Sequence, residues 1–241
     1  SSSQTGRNAV AIGYQALMSE ASTNTETYNV AVGYRAGYVV STGLKNTLIG
    51  GEAGDALTTG HYNTAVGYQA LSTEDAHGRN TAIGYLALTT QDAGADAYNT
   101  AVGFEAGKVI TTGLYNTLVG GRAGDALTTG SYNVALGFDA LTTEDAHGKN
   151  VAIGYSTLTN LDAGADAYNT AVGFNTGNAL TTGISNTLLG SQAGDALTTG
   201  GYNVAVGHHA LGAEDGNGRN VAIGFQALAV QDAGADAYNI A

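Results

Sequence analysis

Apolar residues come in short bursts along this chain, each opened by an asparagine and closed by a glycine. A burst reads Asn-x-(Ala/Leu)-(Val/Ile/Leu)-Gly, as in Asn133-Val134-Ala135-Leu136-Gly137, and a longer run of small and polar residues separates it from the next. β-branched and aliphatic residues ended by a glycine predict a short strand and a corner. A second short segment, such as Ala56-Leu57-Thr58-Thr59 or Ala126-Leu127-Thr128-Thr129, ends at Gly60 or Gly130 in the same way.

The bursts return at fixed intervals. Their asparagines are Asn29, Asn46, Asn63, Asn80, Asn99, Asn116, Asn133, Asn150, Asn169, Asn186, Asn203, Asn220 and Asn239, with spacings of 17, 17, 17 and 19 before the cycle restarts. The phrase Asp-Ala-Gly-Ala-Asp-Ala-Tyr-Asn begins at Asp92, Asp162 and Asp232, which sets a period of 70 residues. A 17-residue unit is too short for a helix pair or a propeller blade and lacks a leucine-rich pattern. It fits one rung of an all-β, parallel β-solenoid. About thirteen rungs at a strand spacing of ~4.8 Å predict a rod roughly 60 Å long.

The predicted organisation is a lead-in and imperfect first rung over 1–28, then three 70-residue blocks of four rungs over 29–238, forming one continuous solenoid. Residues 239–241 start a truncated rung, so the chain reads as a piece of a longer repetitive protein.

Alternation within the strand adds a second inference. In Asn133-Val134-Ala135-Leu136-Gly137, Val134 and Leu136 point to one face and Ala135 to the other. Both faces are apolar, and a strand apolar on both faces is usually covered on both sides. One side is then the solenoid interior and the other a neighbouring chain. The third position of the motif is assigned to that interface: Ala31, Leu48, Ala65, Ala82, Ala101, Leu118, Ala135, Ala152, Ala171, Leu188, Ala205 and Ala222. The leucines at equivalent places favour burial between chains over exposure to water.

Composition suits thin, stacked layers. Apolar residues make up 43% of the chain, yet there are four Phe, one Met and no Trp, while Gly numbers 37. With no Pro and no shift in composition, nothing marks a linker. A net charge of −12 argues against nucleic acid and anionic membranes as partners. No apolar run approaches the ~20 residues of a membrane span, so no membrane insertion is expected. The absence of Cys removes disulfide and thiolate chemistry.

Candidate chemistry is sparse, and no catalytic set emerges. The cluster Gly50-Gly51-Glu52-Ala53-Gly54 lacks the Gly-Lys-Ser/Thr of a phosphate loop, and there is no Gly-x-Ser-x-Gly elbow. His61, His77, His147, His208 and His209 read as surface residues. His77 and His147 lie about four rungs or roughly 19 Å apart, too far to share a metal within one chain. Acidic residues recur at Glu74-Asp75, Glu144-Asp145 and Glu214-Asp215, and at Asp92/Asp96, Asp162/Asp166 and Asp232/Asp236. Oxygen-rich loops of this kind bind calcium in other proteins, but the spacing matches neither the EF-hand nor the calcium-binding nonapeptide. Solvated loops are the reading preferred to calcium, and no cofactor is expected.

Aromatic residues follow the motif at Tyr34, Tyr68, Tyr85, Phe104, Phe138, Tyr155, Phe174 and Phe225, and precede it at Tyr28, Tyr62, Tyr98, Tyr132, Tyr168, Tyr202 and Tyr238. They either pack on the rungs above and below or stack on sugar rings, in which case Tyr34, Tyr68, Tyr85 and Tyr155 are the glycan contacts. Threonine pairs such as Thr58-Thr59, Thr128-Thr129 and Thr142-Thr143 suggest an ice-binding rank, which Gly212-Ala213 and Ala229-Val230 interrupt.

Asn150-Val151-Ala152-Ile153-Gly154 and its copy at Asn220 resemble the repeated motif of head domains in trimeric autotransporter adhesins. Repeats such as Asn63-Thr64-Ala65-Val66-Gly67-Tyr68-Gln69-Ala70-Leu71 look more like those of phage tail fibres. The resemblance runs from Asn8 to Ala241. It implies left-handed β-rolls assembled as parallel homotrimers, with strands meeting around the three-fold axis. Rungs of 17 to 19 residues exceed the adhesin repeat, so extra loop is expected on each. No coiled-coil stalk or membrane anchor is visible in the sequence. The expected function is that of a non-enzymatic structural and adhesive segment, the shaft or receptor-binding region of a tail fibre or comparable surface adhesin. Such a segment is extracellular, on a virion or a bacterial surface, and attaches to a host glycan or protein receptor. The alternative is a monomeric, secreted solenoid that binds glycan or ice.

Overall fold

The computed structural model describes residues 8–20, 26–213, 216–230, 236 and 238–241. The chain is all-β, a parallel β-solenoid with one three-residue strand per rung and no helix among the described residues. It divides into two compact units, 1–116 and 117–241. The first unit holds β1 (Val10–Ile12), β2 (Val30–Val32), β3 (Thr47–Ile49), β4 (Thr64–Val66), β5 (Thr81–Ile83) and β6 (Thr100–Val102). The second holds β7 (Thr117–Val119), β8 (Val134–Leu136), β9 (Val151–Ile153), β10 (Thr170–Val172), β11 (Thr187–Leu189), β12 (Val204–Val206) and β13 (Val221–Ile223).

Within each unit, consecutive strands pair in parallel and in register, motif position on motif position. Ala31 opposes Leu48 and Leu48 opposes Ala65 in the first unit, and Leu118 opposes Ala135 in the second. The remainder of each rung is stacked turn. Ala56–Thr59 and Ala126–Thr129 form no second strand; instead the N–H and the hydroxyl of Thr58 both donate to the carbonyl of Asp75, at 2.5 and 2.9 Å. Such bonds, running to the same position one rung on, hold irregular backbone as firmly as a ladder holds a strand.

The asparagines explain the fixed opening of the motif. In the first unit Asn46 Oδ1 accepts the backbone N–H of Asn63 at 2.9 Å, and Asn46 Nδ2 donates to the carbonyl of Gly60 at 2.8 Å. The same Oδ1 bond recurs down the second unit, from Asn150 onto Asn133 at 3.0 Å through Asn220 onto Asn203 at 3.0 Å. All these side chains are buried, so each amide satisfies backbone that water cannot reach. Asn46→Ala is expected to cost about 2 kcal/mol in denaturant unfolding, because it strands a buried N–H and a buried C=O together.

The interior lies on the opposite face of the strand from the one expected. Ala31, Leu48, Ala65, Ala82, Ala101, Leu118, Ala135, Ala152, Ala171, Leu188, Ala205 and Ala222 are all fully buried within the single chain. That corrects their assignment to an interface: they point into the solenoid, where no neighbour can reach them. The leucines have a core reason. A Cβ placed on Gly37 would lie 2.7 Å from Leu48 Cδ1, and one on Gly54 would lie 2.8 Å from Leu48 Cδ2. Leu48 therefore fills the volume those two glycines vacate. Leu188 does the same over Gly177 and Gly194. In the rungs opening at Asn63, Asn80, Asn133 and Asn150, Leu71, Leu88, Leu141 and Leu158 take the glycine's place and the strand carries Ala. Leu188→Ala is expected to lower unfolding free energy by about 3 kcal/mol and to leave the mass in solution unchanged.

Candidate functional site

The open face of the strands carries the second and fourth motif positions. These are Thr or Val, then Val, Ile or Leu, with no charged residue among them. Ile49, Ile83, Leu136 and Leu189 are each more than a third exposed, and the valines beside them are half-buried. An aromatic rank borders this face. In the first unit Tyr68, Tyr85 and Phe104 stack at 5.8 and 5.3 Å between ring centres, with Tyr14 on Tyr34 at 5.7 Å. In the second, Phe138, Tyr155 and Phe174 stack at 5.8 and 5.3 Å, and His208 lies on Phe225 at 5.6 Å.

Of the four candidate glycan tyrosines, Tyr68, Tyr85 and Tyr155 give ring faces to one another or to a neighbouring Phe, and Tyr34 gives one to Tyr14. Each of these tyrosines stays about half exposed. No ring stands between Tyr34 and Tyr68, where the equivalent position is Gly51. Several tyrosines before the motif serve the cations instead. The Arg79 guanidinium sits 5.6 and 5.4 Å from the ring centres of Tyr62 and Tyr98, and Lys149 sits 5.1 Å from that of Tyr168.

Many of the recurrent acids and threonines are already engaged within the fold. Asp96 accepts from the Gly78 N–H at 3.0 Å and pairs with Arg79; Asp166 accepts from Gly148 N–H at 3.2 Å and pairs with Lys149, whose hydrogen bond holds its carboxyl below the usual range. Asp236 repeats this with Gly218 and Arg219. Thr128 and Thr129 donate their hydroxyls to Asp145 and Ala146 carbonyls, at 2.8 and 3.3 Å, so they tie rungs together. Glu214, Asp215 and Asp232 lie outside the described residues.

One cluster departs from this pattern. Eleven residues after the motif asparagine, most described rungs carry a fully buried apolar side chain: Val40 and Leu57, then Ile110, Leu127, Leu161, Leu180 and Leu197. The rung opening at Asn80 has Gln91 there, a neutral amide that accepts from Asn99 and donates to the Thr111 carbonyl at 2.7 and 3.0 Å. At that same place the rungs opening at Asn63 and Asn133 carry Glu74 and Glu144, whose side chains are 0% exposed. Glu74 Oε1 accepts the His77 N–H at 3.1 Å and lies 3.7 Å from His77 Nδ1; Glu144 and His147 give 3.2 and 3.7 Å. Glu74 Oε2 is buried without a hydrogen-bond partner among the described residues, and so are the Nδ1 atoms of His77 and His147. Glu144 Oε2 has a long bond from the Ala163 N–H, at 3.5 Å. Ligand atoms of Glu74, Asp75 and His77 all lie within 4.8 Å of one another, as do those of Glu144, Asp145 and His147. Burial, with the nearby Asp92 charge adding, lifts the Glu74 carboxyl to about 6, and burial raises Glu144 likewise.

His77 and His147 are thus not plain surface residues, as the sequence suggests, but stand against a buried acid. Aligning the rungs column by column, rather than looking for known spacings, carries the signal that finds Glu74. The remaining histidines have other roles: His61 Nδ1 accepts the Leu44 N–H at 2.9 Å, and His209 Nδ1 lies 3.1 Å from Asp195. His208 and His209 occupy the turn after β12.

Comparison with known proteins returns no match, whether to a family model, a curated protein or a solved structure. No helix among the described residues is long and apolar enough to cross a membrane.

Proposed function

We propose that the chain is a structural and adhesive fibre segment, assembled as a parallel homotrimer on an extracellular surface such as a phage tail fibre or a bacterial adhesin. The observation that carries the reading is the uncharged strand face of Val, Ile, Leu and Thr left open along both units, bordered by stacked aromatic rings. A face of this composition repeated rung after rung is what a second and third copy bury. Chains in register bury the same Val, Ile and Leu positions at every rung, so the interface grows in proportion to length. The mechanism is mechanical and multivalent: three copies of any receptor contact, to glycan or protein, gain avidity without new chemistry. No step calls for a catalytic group.

Light scattering after size exclusion, over a dilution series, is expected to give a mass near three times 24.1 kDa. Ile83→Lys with Ile153→Lys places cations on the open face and is expected to return the monomer with its fold intact. A clean monomer for the unsubstituted chain sinks the trimer and directs attention to single-chain glycan or ice binding.

A further inference from the structure

We propose that each unit binds one divalent transition cation, of the Zn²⁺ class, between a Glu carboxylate, the adjacent Asp and a histidine Nδ1. The sites are Glu74, Asp75 and His77 in the first unit and Glu144, Asp145 and His147 in the second.

A carboxylate in a largely apolar column is costly unless something offsets its charge. Here the natural candidates within the fold do not suffice. Glu74 Oε2 has no hydrogen-bond partner among the described residues, and His77 turns an unpartnered, buried Nδ1 towards the same carboxylate at 3.7 Å. Two buried polar atoms that the fold leaves without a hydrogen bond, a carboxylate oxygen and an imidazole nitrogen, are an arrangement a cation completes. The 3.7 Å between Glu74 and His77 matches the roughly 3–4 Å separating atoms bound to one small dication at ~2.1 Å, and Asp75 offers an oxygen within 4.8 Å of both.

The donor set selects the metal. One imidazole nitrogen and two carboxylates fit Zn²⁺ and its neighbours, with positions left for water. Calcium takes six to eight oxygens and does not favour nitrogen. The three residues sit in a span of four, so the chain needs no long-range closure to assemble them. The acid–imidazole geometry is also made twice, once in each unit, with the same 3.7 Å and an unpartnered histidine Nδ1, although Glu144 Oε2 accepts a long bond from the Ala163 N–H. The third block has Asn217 where the others have histidine.

The test uses the full chain, stripped with EDTA and dialysed against buffered Zn²⁺, with bound metal counted by mass spectrometry and unfolding followed by circular dichroism. The unsubstituted protein is expected to hold two more Zn²⁺ per chain than His77→Asn with His147→Asn, and each single substitution to lose one. Asparagine occupies that position in the third block, so these variants keep the fold. Glu74→Gln, close in shape, is expected to lose the same site as His77→Asn. Zn²⁺ is expected to raise the unfolding temperature of the parent and not of the double variant, with Ca²⁺ doing neither. Metal retained in full by the double variant places it elsewhere, as on His208 and His209, and overturns the proposal. So does a Ca²⁺ response equal to that of Zn²⁺.

Discussion

Gly67→Ala is expected to lose at least about 4 kcal/mol of unfolding free energy, a large share of what holds an ordinary domain folded. Two causes act at the same atom. The residue sits at φ +139°, where an L side chain is strained, and a Cβ there would stand 2.2 Å from the Gly84 carbonyl oxygen and 2.6 Å from its carbon. Backbone of the next rung cannot step aside without breaking the Gly84 N–H bond to Val66, at 2.8 Å, and the strand pairing beside it. Gly137 repeats the case in the second unit, with 2.3 Å to Gly154. Gly94 provides the control: its φ of +65° is also left-handed, but nothing lies within 4 Å of the added carbon. Gly94→Ala is therefore expected to cost only about 1 kcal/mol. Equilibrium unfolding of both variants measures the difference, and equal, small losses sink the account of the glycine column as a close approach between rungs.

Those glycines, the asparagines and the strands were all legible in the sequence, because each is dictated by packing between identical positions of neighbouring rungs. A repeat prints such packing as columns. What alternation does not carry is a sign. Val134 and Leu136 form one set and Ala135 the other, and both are apolar, so the pattern separates the faces without saying which is inside. Volume decides it. Small alanines lie inward because a rung this narrow admits little more, and Leu48 is inward because Gly37 and Gly54 make room for it. That compensation joins a strand residue to a turn of its own rung and a turn of the rung before, and no single column displays it.

The turns were hidden for another reason. Tyr62, Gln69 and Leu71 adopt φ of 60°, 52° and 52°, although none is a residue type that favours the left-handed region. Their N–H groups bond to other rungs, to Leu44, Gly51 and Ala87 at 3.0, 2.9 and 3.0 Å. Closing the ring imposes the conformation, and stacking offsets its cost of roughly 1–2 kcal/mol per residue. Propensity read one residue at a time cannot anticipate a term that belongs to the stack.

The buried acids lead to the second large effect. In chelator at pH 7, Glu74→Leu with Glu144→Leu is expected to stabilise the protein by about 1–4 kcal/mol at each site, as replacing buried ionic groups with fitting apolar ones commonly does. Leucine already occupies this position at Leu57 and Leu127, the rungs just before, so the shape is proven within the same chain. The gain has a defined pH dependence. With its folded carboxyl lifted to about 6 from 4.5, Glu74 binds a proton more readily folded than unfolded, so the parent loses stability as pH rises through that interval. The variant carries no such loss, and its advantage is expected to be larger at pH 7 than at pH 4.5. The charges of Asp92 and Asp75 nearby deepen the penalty at neutral pH. Thermal melts in EDTA at the two pH values read the effect directly. A variant less stable than its parent at pH 7 means that the fold already satisfies the carboxylate, and the cation site then has no reason to exist. Greater stability together with loss of the Zn²⁺ response shows the opposite: two positions where the solenoid gives up core packing to keep a charge that only a ligand can match.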